Sequence, residues 1–366
     1  MYTLFSGSDS LDPLMREYRI ECVKYAIFQE NHSHITEPSS SESRSSERTL
    51  FQGCSFSKLF TGLSILLLVQ DGLLDLDRNV NSALSGCDWQ LPDSTFPLPT
   101  IRQCLNMTSG LGFSEPSSPS RYLQGEPIPS LMDLLNGRSP AKTPAVSLVK
   151  APGTEYTYSG VGYWVLQKII EHRSEKNFAD FLSTRLFVPL GLTQSTVECP
   201  LNPARHDQVI PGFQSNGEPV PQGFENIPSA ASGGLWTTIQ DMSLLSLEIL
   251  KAFQGRSALF SKEIMQECIS NTEYSAGFGL GMSVDLSADS FNIRKIAYNN
   301  GYYHQLLLFP EEQVGILVMT DRANSGEFIQ QLIARIATEK KWPAYNSDFE
   351  EVKTAPISPP TRHFSA

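Results

Sequence analysis

The chain has 366 residues, 40% of them hydrophobic, with 39 acidic against 28 basic side chains and a formal net charge of −11. That length can bury a substantial core in one two-lobed unit, and the acidic balance argues against nucleic acid or an anionic membrane as partner. Six cysteines, Cys22, Cys54, Cys87, Cys104, Cys199 and Cys268, lack metal-site or disulfide-framework spacing and read as reduced thiols of a cytoplasmic protein.

Residues 1–18 carry no pattern and are expected to be a loosely attached arm without the basic and apolar blocks of a secretory leader. Residues 18–29, YRIECVKYAIFQ, are rich in β-branched and aromatic side chains and predict a strand. A serine-rich connection follows over 37–48. The next stretch, FQGCSFSKLFTGLSILLLVQDGLLDLD over 51–77, holds the most chemistry. Leu59, Phe60, Leu63, Leu66 and Leu67 recur at helical spacing, and Ile65, Leu68 and Val69 widen the stripe almost all round. This describes a buried helix with Gly72 just past its end, too short in its apolar run to span a membrane. Ser55 and Lys58 lie three apart at its start, hence on one face. A lysine buried there loses hydration, and its neutral amine can take the serine's proton.

Pro99-Thr100-Ile101 opens the next helical turn, and residues 114–129 form a Pro/Ser/Gly-rich loop of the kind that walls a cleft. Val161, Val165, Leu166, Ile169 and Ile170 mark a helix over 161–172, and a further amphipathic helix covers 177–186. Gln240-Asp241-Met242 starts another helix. The last third turns to β structure, with strand-like residues at 278–282 and two buried strands at 304–309 and 314–319, joined by a turn at 310–313. Phe328, Ile329, Leu332, Ile333 and Ile336 mark a final helix, and the proline-bearing tail beyond Trp342 reads as disordered.

Four words in order along the chain carry a resemblance. They are TLFQGCSFSKLFTGLSILLLVQDGLLDLD, LNMTSGL at 105–111, PGTEYTYSG at 152–160 and AASGGLWTTI at 230–239. Together they resemble the serine β-lactamase and penicillin-binding-protein superfamily, in particular its class C-like branch of serine hydrolases and esterases. The resemblance implies an α/β (α+β) fold, an antiparallel sheet flanked by helices with an inserted all-helical lobe. It implies a single unit over 1–345, in which 1–50 and 232–345 form the α/β lobe, 51–231 the mainly helical lobe, and 346–366 a disordered tail.

The resemblance also implies a site. Ser55 would be the nucleophile, Lys58 its base and Tyr158 a proton relay poised at a loop-to-helix turn. Gly160 stands where penicillin-directed members carry an asparagine that holds a substrate amide. The third family motif, Lys-Thr-Gly or His-x-Gly, falls on Lys295-Ile296-Ala297, where the Ala297 methyl is expected to crowd the substrate edge. The backbone N–H groups of Ser55 and Tyr298 would then form the oxyanion site, and the glycines of AASGGL would permit close backbone packing beneath it. The implied activity is acyl transfer or hydrolysis of a small ester, thioester or amide. It needs no cofactor or metal, takes an alcohol or amine as a candidate acceptor, and involves no membrane or nucleic acid. Two alternatives stay open, a catalytically inactive binding or scaffold protein and a β-lactamase or D,D-peptidase.

Overall fold

The computed structural model describes residues 11–37, 46–115, 120–270, 274–286 and 290–345. Six antiparallel strands form its main sheet, in the spatial order His32–Thr36, Val23–Gln29, Val314–Thr320, Tyr303–Phe309, Asn292–Tyr298, Ser283–Asp285. The N-terminal hairpin therefore completes a sheet whose other four strands come from the last third of the chain. Side chains alternate across each strand, and the pattern separates two cores. Val23, Tyr25, Ile27, Leu307, Phe309, Ile316 and Val318 face one layer, whereas Ala26, Phe28, Leu306, Leu308, Leu317 and Met319 face the other.

The first layer is the helix Gly326–Lys340, whose Phe328, Ile329, Leu332, Ile333 and Ile336 form the expected stripe. Beside it lies a helix that the sequence reading missed. Residues 12–18 are not a loose arm but the helix Asp12–Tyr18, docked through Met15. Tyr18 sets its ring edge-on to Phe328 at 6.1 Å, and its hydroxyl accepts from Gln331 Nε2 at 2.7 Å. Arg19, at φ 53°, turns the chain out of this helix, so the strand begins at Val23 and not at residue 18. Residues 1–10 lie outside the described residues, as do 38–45 of the serine-rich connection. The near ends of that connection converge on buried Lys24, which pairs with Glu37 at 3.0 Å and donates to the Ser46 carbonyl.

The second layer contains the helices Ile239–Phe253 and Phe56–Gln70. Every residue of the latter from Phe56 to Leu68 is buried, which explains a stripe that runs almost all round. Each fully buried Leu or Phe there contributes roughly 1.5–3 kcal/mol. This helix joins the sheet to a helical lobe centred on Val161–Ser174, with Ile101–Leu105, Leu131–Asn136 and Phe178–Leu182 around it. The helix expected over 177–186 is capped by Asn177, whose Oδ1 accepts from Asp180 N at 2.8 Å. It passes into a π-helical turn, Ser183–Phe187, and ends at Gly191 in the left-handed region.

Two expectations in the last third need correction. Residues 278–282 do not form a strand; Gly277 and Gly281 take φ of 77° and 98°, and the strand starts only at Ser283. The loop instead lies directly on the buried helix, where a Cβ at Gly62 would come within 2.6 Å of the Leu280 carbonyl oxygen. The chain beyond Trp342 also stays packed for three more residues, with Trp342 and Tyr345 against Phe309 at 6.1 and 6.3 Å. Residues 346–366 lie outside the described residues. Among the described residues no helix is long and apolar enough to cross a membrane.

Candidate active site

A short strand, Phe51–Cys54, runs into the buried helix Phe56–Gln70 with Ser55 at the junction. Cys54 takes φ 48°, a left-handed conformation that costs about 1–2 kcal/mol in a non-glycine residue, and it turns the chain sharply enough to present Ser55. Burial pushes the Cys54 thiol far up, so the neighbouring sulfur is no competitor as nucleophile. Lys58, 4% exposed, reaches back one turn and donates from Nζ to Ser55 Oγ at 3.2 Å. From the other side the Tyr158 hydroxyl donates to the same Oγ at 2.8 Å. Thus the three residues Ser55, Lys58 and Tyr158 come together, although Tyr158 lies 103 positions from Ser55.

The LNMTSGL word explains how Tyr158 is aimed. Thr157 N donates to Met107 O at 2.9 Å and Gly153 N to Thr108 O at 2.8 Å, so this segment is the floor on which the tyrosine loop rests. Amines flank the Tyr158 ring on two sides, with Lys58 Nζ 5.0 Å and Lys295 Nζ 5.5 Å from its centroid. Lys295 is fully buried and also lies 4.8 Å from the Phe278 ring. Its strand, Asn292–Tyr298, has the Tyr303–Phe309 strand along one side, while the short strand Ser283–Asp285 covers only Asn292 to Arg294 on the other. Tyr298 ends the strand, 46% exposed, with its ring stacked on Tyr303 at 5.6 Å.

A family model described as Beta-lactamase matches residues 8–339. The chain belongs to the beta-lactamase family. Protein flp of Staphylococcus aureus (strain N315) is 23% identical over 303 residues, which cover 81% of this chain and 57% of that protein. The chain thus spans little more than half the length of that curated relative. A D-amino acid amidase from Ochrobactrum anthropi SV3, solved with L-phenylalanine amide, superposes with a TM-score of 0.70 at 18% identity, over 90% of this chain and 98% of the other. The octameric penicillin-binding protein homologue from Pyrococcus abyssi gives a TM-score of 0.69 at 18% identity, over 93% and 77%. At such identities the likeness is one of fold.

One detail of this beta-lactamase-family site differs from the expectations. Ala297 is wholly buried within the core that contains the Ser55 helix, so its methyl adds no bulk to a substrate edge. Gly160 begins the Val161–Ser174 helix at an ordinary φ of −73°, so its backbone does not demand glycine. A Cβ there would lie 3.3 Å from both Cβ and Oγ of Ser232, tighter than nine in ten real contacts, so a side chain at this position would press on Ser232.

Ser232 is the residue that sequence reasoning overlooked. Its carbonyl accepts from Lys58 Nζ at 2.7 Å, and its Oγ accepts from Trp164 Nε1 at 3.2 Å. Thr61 holds the Ala231 carbonyl at 2.8 Å, and Ser57 Oγ accepts from Leu235 N at 3.0 Å. Three polar side chains of the buried helix therefore bind the backbone of the AASGGL word. Its glycines serve close packing as expected, a Cβ at Gly234 meeting the Ile227 carbonyl oxygen at 2.7 Å. A carbonyl that holds a lysine leaves no mark in residue type, so no motif could have announced it. Among the described residues no cluster of His, Cys, Asp or Glu is placed to hold a metal.

Proposed function

We propose that this protein catalyses serine-dependent acyl transfer or hydrolysis on a small ester, thioester or amide through an acyl-enzyme at Ser55. The observation that carries the reading is the pair of hydrogen bonds on one oxygen, 3.2 Å from Lys58 Nζ and 2.8 Å from the Tyr158 hydroxyl, at a buried helix start. In this scheme Ser55 Oγ forms a bond to the substrate carbonyl carbon while its proton passes to neutral Lys58. The carbonyl π pair moves onto oxygen, where the N–H groups of Ser55 and Tyr298 receive it. Loss of one such donor costs other enzymes about 100- to 1,000-fold. When the bond to the leaving group breaks, Tyr158 delivers the proton to the departing atom, and Lys58 reprotonates Tyr158. Water or an alcohol then attacks the ester of Ser55 by the same steps in reverse.

Gly160 supports esters or thioesters over β-lactams and D-Ala-D-Ala peptides. It offers no side chain to a substrate amide, and a buried polar group left without its partner costs about 1–3 kcal/mol. Esters have no amide N–H to satisfy and carry better leaving groups. Kinetics on one purified sample should give turnover of short-chain p-nitrophenyl esters or thioesters and negligible turnover of nitrocefin. Nitrocefin turnover equal to ester turnover would refute the substrate assignment, and ester turnover that survives Ser55→Ala would refute the mechanism.

A further inference from the structure

The strand that delivers Ser55 and the strand that ends at Tyr298 belong to different sheets. Phe51–Cys54 pairs with Leu235–Thr237 and, through Cys54, with Gly234, and among the described residues no backbone ladder joins it to Asn292–Tyr298. Side chains must therefore hold the two N–H groups of the oxyanion site at a fixed separation. A side-chain bond crosses the gap, from Asn299 Nδ2 to Gln52 Oε1 at 2.9 Å. Asn299 directly follows Tyr298, and Gln52 lies three residues before Ser55.

Both amides are oriented by their other contacts. Asn299 Oδ1 accepts from Gly301 N at 2.9 Å and Tyr302 N at 3.0 Å, which leaves Nδ2 for Gln52. Gln52 Nε2 donates to Glu225 O at 2.5 Å, which leaves Oε1 for Asn299. The backbone of Gln52 is held as well. His304 donates Nε2–H to Gln52 O at 2.8 Å, and its Nδ1 accepts from Thr320 N at 3.3 Å, an arrangement available only to neutral imidazole. Its ring lies between Phe51, edge-on at 5.7 Å, and Phe56, stacked at 5.7 Å, the residues on either side of the Ser55 turn. Gln52 and His304 are buried, with 4% and 0% exposure.

We infer that Gln52 and Asn299, with His304 behind them, are positioning residues that set the spacing of the Ser55 and Tyr298 N–H donors. The inference rests on the acyl-enzyme reading above. Asn299→Asp keeps the oxygen that caps the Gly301–Tyr302 turn and replaces the donor facing Gln52 with an acceptor. Gln52→Met removes the bond from the other end at similar volume.

The test measures kcat and KM on a p-nitrophenyl ester per titrated active site, with the inhibition constant of an aryl boronic acid as a tetrahedral probe. Both variants should lose about 10- to 100-fold in kcat, part of what a whole donor supplies, with KM within about twofold. The boronate constant should rise in proportion to the loss in kcat/KM. In Asn299→Asp the deficit relative to wild type should shrink as pH falls and the carboxyl regains a proton to donate. A merely structural role would lower the unfolding temperature and leave kcat per titrated site and the boronate constant unchanged, and that result in either variant overturns the inference. A variant that does not unfold cooperatively counts against it too, since the bond is then needed for folding itself. Wild-type protein inert to esters and boronate alike would instead refute the acyl-enzyme reading.

Discussion

Ser55 is made special by its contacts rather than by its residue type. A serine hydroxyl near neutral pH is a poor nucleophile until a base takes its proton, and here one amine and one phenol converge on it. The Ser55 and Lys58 pairing was legible from a three-residue spacing at the start of a hydrophobic helix, since residues three apart on a helix share a face, together with the words around it. Tyr158 was legible only through the PGTEYTYSG word, since nothing local tells a tyrosine across which distance it will point. Ser232 was not legible at all, because its backbone carbonyl does the holding. A side chain at Gly160 would press on the side chain of this same Ser232. Asparagine at Gly160 should therefore push Ser232 away from Lys58 and lower ester kcat several-fold, without creating β-lactam turnover. Steady-state kinetics of Gly160→Asn on an ester and on nitrocefin decide this; a gain of nitrocefin hydrolysis or unchanged ester kcat would contradict it.

At the scale of elements, the helix Phe56–Gln70 is where the molecule's parts meet. It touches the helical lobe, the two-stranded pair, the main sheet and the loop at 278–282. Its existence was readable from hydrophobic spacing, and so were the later strands, whose alternation is clear. The loop was misread because Phe278, Leu280 and Met282 alternate with glycines exactly as strand residues would, yet Gly279 and Gly281 are there to approach the Cys268 and Lys58 carbonyls. The first helix was missed because seven residues give too few turns for a period to show. Gly62 sits at the closest point of the loop contact. Alanine is the better helix former by about 1 kcal/mol, but its methyl would press on the Leu280 carbonyl oxygen at 2.6 Å. Overpacking of this kind costs about 1–3 kcal/mol, so Gly62→Ala should lower the unfolding temperature and reduce kcat through the displaced loop. A higher unfolding temperature by calorimetry would show that the contact is softer than its geometry indicates.

For the whole molecule, two buried groups at the end of the main sheet tie stability to pH in opposite senses. Burial pushes the Asp321 carboxyl up to about 7, against a hydrogen bond from Cys22 N at 2.9 Å that favours the anion. The folded state binds this proton more tightly than the unfolded chain, whose value lies near 4. Its contribution is therefore full below about pH 4 and is lost as pH rises to about 7. Burial also lowers His304 to about 4, outweighing the hydrogen bond to the Gln52 carbonyl. That contribution is present above about pH 6.5 and is lost as pH falls to about 4. Asp321→Asn mimics the neutral acid, so the variant should gain stability relative to wild type steadily from about pH 4 to 7 and no further above it. Melting curves of the pair across that range check the sign, and a constant difference would mean that Asp321 is ionised throughout.

The chemical claim at the centre is that Ser55 alone forms the covalent intermediate, with Lys58 as its base. Intact-mass spectrometry after treatment with a fluorophosphonate probe tests it most directly. Wild-type protein should gain one adduct, Ser55→Ala none, and Lys58→Arg one formed about 100-fold or more slowly, since arginine cannot give up its proton. Labelling that persists in Ser55→Ala, or that proceeds at the wild-type rate in Lys58→Arg, would contradict it.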